Sequence, residues 1–330
     1  MQFDQLRRRE FVTLLGGAAA AWPLASHAQQ SVKVWRIGML EMIPATANST
    51  NLDSFRNGLR ELGYIEGQNL SINYRSADGR SERFPGLATE LVRLSIDLFV
   101  TRGTPAALAA RNASETIPIV MAAIAEPSAL VTSIARPDGN VTGLSSLYPD
   151  LIAKRFELLK EIVPPLARVG HLAEMSNPAS VPSRREVETA ARSLGIEAPL
   201  FDIRKPEDIG AAFDTAASQR IDALTVELGT LTQTNRQFIA LLAARYRLPT
   251  IYASREFVEA GGLIAYGVSY PALYRRAATY VDRIFKGARP ADLPIEQPTK
   301  FELVINLRAA KAIGWTIPEP FLLRADEVIE

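Results

Sequence analysis

Arg36-Ile37-Gly38-Met39-Leu40 recurs, about 130 residues downstream, as Arg168-Val169-Gly170-His171-Leu172. Each is a short apolar run that reads as a buried strand, and each leads through a polar loop into a helical pattern. In the first copy Leu52, Phe55, Leu59 and Leu62 share a helical face, and Gly63 stops the helix. In the second, Val187, Ala190, Ala191 and Leu194 do the same, and Gly195 stops it. The match continues in order. Strands at 70–74 and 200–203 are each followed by a helix, marked by Phe84, Leu87, Leu91 and Leu94 or by Ile209, Phe213 and Ala216. Ile96 to Val100 answers Ile221 to Val226, Ile117 to Val120 answers Leu248 to Ile251, and Val141 to Leu144 answers Leu263 to Tyr266. Strands alternating with helices predict a parallel sheet covered on both faces. Two copies predict an α/β protein of two doubly wound lobes.

The lobes are expected over 29–145 and 146–270. Residues 271–330 add a helix (Leu273, Ala277, Tyr280, Ile284), a strand at 302–305 and a helix at 307–313. That is too little for a third domain, so this segment is expected to cross between the lobes and complete both sheets. The chain start, "RRREFVTLLGGAAAAWPLASHAQQ", has a basic head, a short apolar run and the small-residue site Ser26-His27-Ala28. The run is shorter than the roughly 20 residues of a membrane span. It reads as a signal peptide over 1–28, and Arg8-Arg9-Glu10-Phe11-Val12 fits the twin-arginine pattern. The expected destination is the periplasm, with no stable membrane insertion after cleavage.

Cleavage removes Arg7, Arg8 and Arg9 together with Asp4 and Glu10, which leaves a formally neutral chain. That argues against a nucleic-acid partner. The sequence has no cysteine, and His171 is the one histidine left after cleavage. Thiolate metal sites, a cysteine nucleophile and multi-histidine metal sites are excluded. There is no phosphate loop and no G-x-G-x-x-G, so no cofactor is expected and no enzyme activity.

Ligands of open parallel sheets bind beyond the carboxyl ends of the strands, here in the cleft between the lobes. Thr104 reads as an N-cap with Pro105 at the first helical position, so the helix start through Ala106 offers free N–H groups to a carboxylate, or is an ordinary capped helix. Glu227 ends an apolar strand and would receive an ammonium if it faces the cleft; otherwise it is a solvated surface acid. Asn177, before Pro178, offers an amide to a ligand or simply makes a turn. Glu41 follows the first strand. Tyr252, Ser254, Tyr266 and Tyr270 follow late strands and would wall an aromatic pocket, or lie half-buried at strand ends. His171 reads as a core histidine.

The stretches "FRNGLRELGYIEGQNLSINYR", "IPIVMAAIAEPSALVTSIARPDGNVTGLS", "LAARYRLPTIYASREFVEAGGLIAYG" and "PIEQPTKFELVINLRAAKAIGWTIPEPFLLRADEVIE" resemble the exported substrate-binding proteins of ABC transporters, in the tryptophan/aromatic-amino-acid-binding-like group. The resemblance covers essentially the whole chain after the leader. It implies a type I periplasmic-binding-protein fold, with three crossovers between the lobes. It implies a receptor that closes on a small molecule and passes it to an inner-membrane ABC permease, and a monomer. The ligand's carboxylate would sit at Thr104 to Ala106 and an ammonium against an acid after the strand at 223–226. Gly229-Thr230 stands where tryptophan-binding members often carry Asp-Asn. Asn177-Pro178 and Tyr266-Gly267 match the family at positions facing the cleft. An amino acid, aromatic or branched, is the ligand expected. A periplasmic sensor module is the alternative, and a secreted α/β enzyme a more distant one.

Overall fold

The apolar run at 36–40 becomes strand β1 (Trp35–Glu41), buried from Ile37 onward. Burial on both faces is what a parallel sheet between helices requires. The computed structural model describes Lys33 to Glu330, so the signal expected at 1–28 lies outside the described residues. Trp35 to Glu330 forms one unit. Its first half runs β1, α1 (Ser49–Glu61), β2 (Leu70–Ser76), α2 (Phe84–Arg93), β3 (Leu98–Arg102), α3 (Thr104–Ala113), β4 (Ile119–Ile124) and β5 (Val141–Ser145). The strands make a parallel sheet in the order β2-β1-β3-β4-β5.

The second half repeats the plan. It contains α4 (Ile152–Ile162), β6 (Val169–Ala173), α5 (Ser180–Leu194), β7 (Leu200–Asp202), α6 (Pro206–Ser218), β8 (Ala223–Val226), α7 (Thr230–Thr234) and α8 (Arg236–Arg245). It ends with β9 (Thr250–Tyr252), α9 (Arg255–Glu259) and β10 (Ile264–Gly267). Then α10 (Tyr270–Phe285) returns to the first lobe, lying so close to α1 that a β-carbon on Gly58 would come within 2.9 Å of the Ala278 methyl. Glu296 bridges Leu144 at the edge of the first sheet. The chain then crosses again into β11 (Glu302–Asn306), α11 (Leu307–Ile313), α12 (Glu319–Leu322) and β12 (Glu327–Ile329). The second sheet has the order β12-β11-β10-β9-β8-β6-β7, with β11 antiparallel to β10. The sequence pattern did not indicate that reversal or the short β12.

Apolar side chains pack on both faces of each sheet. Phe55, Leu59, Tyr274 and Val281 cover one face of the first, and Phe84, Leu91, Phe99 and Ala110 the other. Phe156, Val187 and Ile264 belong to one cluster of the second lobe, and Phe201, Phe213, Ile239 and Phe257 to the other. Strand β3 runs two residues past its apolar pattern. Backbone pairing carries it there: Thr101 pairs with Leu40 of β1 and Arg102 with Ala123 of β4. The helix cap moves with it. Gly103, at φ +85°, is the residue before α3, Thr104 is its first residue and Pro105 its second. Thr104 therefore makes no side-chain cap, contrary to the sequence expectation.

Candidate functional site

The carboxyl ends of both sheets border a cavity. The first lobe supplies Met42 after β1, Arg102 at the end of β3, Gly103 to Pro105 and Ala123, and Ser146 stands just past β5. The second supplies Tyr148, Asn177, Ala179, Leu228 and Gly229, and Tyr270 stands at the start of α10. The Gly103 N–H goes to the Ala123 carbonyl at 2.9 Å and Pro105 has none, so Thr104 and Ala106 carry the free amides of the first turn. The Thr104 hydroxyl is buried without a partner, and so is Arg102 Nε. These donors favour an anion.

The rest of the Arg102 guanidinium joins the lobes. It donates to Glu256 Oε1 at 3.0 Å and to Oε2 at 2.6 Å, and it lies 4.3 Å over the Tyr270 ring. Asn51 Nδ2 also reaches Glu256, at 2.6 Å, and Gln233 bonds it too. Burial pushes the Glu256 carboxyl up, but Arg102 and these donors more than offset it and hold it below its ordinary value. On the other wall, the Arg155 guanidinium packs 4.6 Å from the Tyr148 ring and donates to the Tyr266 carbonyl at 2.8 Å.

Of the residues singled out in the sequence, Thr104, Pro105, Asn177 and Tyr270 line the cavity. Asn177 also makes its turn, accepting the Ala179 N–H at 3.1 Å. Ala106 is buried in the first lobe and does not line the cavity. Glu41 lies behind the wall, bonded to the Tyr274 hydroxyl; burial raises its carboxyl to about 7 against the pull of Arg102.

The remaining expectations need correction. Glu227 is neither a cavity residue nor a surface acid. It is 2 % exposed, and its Oε2 is buried without a hydrogen-bond partner. Tyr252 is a core residue, stacked 4.8 Å from Phe257 and pressed on Gly262. Ser254 caps α9 through the Glu256 N–H and bonds the Glu256 carboxylate rather than the cavity. Tyr266 packs near Phe301, away from the lining. For Tyr252 and Tyr266, which lie within strands, the alternation that apolar content does not reveal turns the side chain from the cleft. His171 is a core residue, but neither ring nitrogen has a partner. Sequence reading missed Met42, Arg102, Ser146 and Tyr148. Arginine closing an apolar strand was a signal for Arg102; nothing marked the others.

Glu227 sets a pH dependence. Burial raises its carboxyl from 4.5 to about 8, so the folded state keeps a proton that the unfolded chain releases above 4.5. Its contribution to stability is therefore lost as pH rises from 4.5 to about 8. Relative to wild type, Glu227→Gln should gain stability by on the order of 3 kcal/mol between pH 5 and pH 8. Urea unfolding at both pH values checks this; a constant difference would refute it.

Two lobes meeting around a cavity with unpartnered anion-seeking donors define a ligand receptor. The model of the family described as ABC transporter substrate binding protein matches residues 36–329, and the chain belongs to that family. It is 26 % identical over 288 residues to a tyrosine-binding protein of Clostridioides difficile (strain R20291), covering 86 % of this chain and 82 % of that one. A solved conserved domain protein of Vibrio cholerae superposes with a TM-score of 0.84 at 28 % identity, over 90 % of this chain and 100 % of that one. An ABC domain from Streptococcus pneumonia, solved in complex with L-Trp, gives 0.83 at 27 %, with the same coverage. The fold is the type I periplasmic-binding-protein fold. Among the described residues no helix is long and apolar enough to cross a membrane.

Proposed function

We propose that this chain is the periplasmic solute receptor of an ABC importer. Residues 1–28 direct export, by the twin-arginine route, and are removed. The lobes at 29–145 and 146–270, tied by 271–330, close on a small carboxylate-bearing ligand and present the closed form to an inner-membrane permease. The receptor acts as a monomer, without cofactor and without chemistry. Ligand contacts on both lobes favour the closed state over the open one.

The observation that carries this reading is the pair of buried, unpartnered donors on the cavity wall, the Thr104 hydroxyl and Arg102 Nε, beside the first turn of α3. A carboxylate satisfies all of them. The rings of Tyr148 and Tyr270 on the same cavity suit a flat apolar body. Together with the names of the relatives, this makes an aromatic amino acid the first candidate and a branched one the second. Thr104, Pro105 and Asn177 are contacts in this reading, joined by Arg102, Tyr148 and Tyr270.

The test is a thermal-shift screen of residues 29–330, unfolded and refolded to strip carried-over ligand. Amino acids, aromatic carboxylates, sugars and purines form the panel. A ligand at about a hundred times its Kd adds roughly 2.7 kcal/mol. A shift with aromatic or branched amino acids is expected; a panel without any shift would refute the receptor. Thr104→Val keeps the shape and removes the hydroxyl. It should weaken the best ligand by about 10- to 100-fold, the worth of one hydrogen bond to a charged group. Unchanged affinity by calorimetry would remove Thr104 from the seat.

A further inference from the structure

A zwitterion needs an acid as well as an anion seat, and no residue lining the cavity is acidic. Of the carboxylates nearby, Glu256 is engaged by Arg102, Asn51 and Gln233. Glu41 and Glu227 lie behind the walls. Glu174 differs from all three. It is the first residue past β6 and is 6 % exposed. Its hydrogen bonds are long: Ser176 at 3.2 Å, Ser81 of the other lobe at 3.5 Å and the Leu231 N–H at 3.3 Å. Hydroxyl bonds to a carboxylate usually measure about 2.5–2.7 Å. This carboxylate is held loosely and has lone pairs to spare.

Gly229 supplies the access. It lines the cavity, and a β-carbon there would stand 3.3 Å from Glu174 Oε2 and 3.8 Å from Asn177 Nδ2. Its backbone, φ −134° and ψ 175°, is extended and would accept any residue. A β-carbon at that distance would crowd the carboxylate; glycine leaves only bare backbone there, a narrow gap that any side chain would close against Glu174.

We infer that Glu174, reached through the gap at Gly229, receives the ammonium group of the ligand and selects amino acids over plain carboxylates. This rests on the receptor reading above. The ligand's carboxylate would lie on the first lobe and its ammonium on the second, so one small molecule bridges both.

The experiment compares L-tyrosine and L-tryptophan with phloretate and indolepropionate, their counterparts without the ammonium group. Calorimetry uses refolded wild type, Glu174→Gln and Gly229→Ala. Wild type should prefer each amino acid by at least about tenfold. Glu174→Gln should weaken the amino acids by about 10- to 100-fold and change the propionates by less than about threefold. Gly229→Ala, which fills the gap and keeps the carboxylate, should lose the same preference. Equal weakening of both classes in Glu174→Gln would mean a merely structural role and overturn the inference. So would an intact preference. Wild type favouring the propionates would overturn it while leaving the receptor standing. Binding of neither class would remove the amino-acid reading and the inference together.

Discussion

Replacing Arg102 by methionine should weaken ligand binding by at least about a hundredfold, or ~2.7 kcal/mol. Two losses combine. The cavity loses the Nε donor, and Glu256 loses the cation that offsets its burial. Removing one member of a buried ion pair typically costs about 3–5 kcal/mol, because the other charge stays desolvated. Here the pair joins two lobes, so Glu256 can rehydrate when they part. The cost should therefore appear as opening rather than unfolding, and the urea midpoint should barely move. Arg102→Met/Glu256→Leu separates the two losses. Apolar replacement of both partners is often close to neutral, so the double variant should recover closure but not the ligand donor. A double variant within about threefold of wild-type affinity would show that Arg102 acts only as a bridge.

Gly143→Ala and Gly267→Ala should each cost about 3 kcal/mol or more. A β-carbon on Gly143 would lie 2.2 Å from the Met121 carbonyl oxygen, and one on Gly267 1.9 Å from that of Ala253. Both obstacles are backbone, one within β4 and one just past β9, so no rotamer change relieves them. Gly143 adds φ +135°, a conformation that side chains resist. The two glycines stand in β5 and β10, strands that the repeat sets opposite each other. Gly210, in α6, is the control. Nothing lies within 4 Å of its β-carbon position, and Gly210→Ala should stabilise by roughly 0.5–1 kcal/mol. Urea denaturation of the three variants measures this. Neutral behaviour at Gly143 would contradict the register of β4 with β5.

The layered fold was legible because parallel strands covered on both faces must be apolar throughout, and the helices between them must repeat every 3.6 residues. Both signals survive in a single sequence. The anion seat was half legible: Thr104-Pro105 marked the helix, but backbone pairing of β3 with its neighbours moved the cap to Gly103. The acids were not legible. Glu227 and Glu174 both follow apolar strands, and a shift of one residue decides whether such a side chain meets the cleft or the helix behind it. The Arg102–Glu256 bridge joins residues 154 positions apart, and no local pattern announces it.

The proposed seat places a small carboxylate between the lobes, against Thr104 and Arg102. Calorimetric titration of the stripped, refolded wild type, Thr104→Val and Arg102→Met with the strongest ligand from the thermal screen tests it most directly. Saturable one-to-one binding by wild type, weakened about 10- to 100-fold by the first substitution and at least about a hundredfold by the second, is the predicted result. Binding that both variants retain at wild-type strength would place the ligand elsewhere and contradict the account.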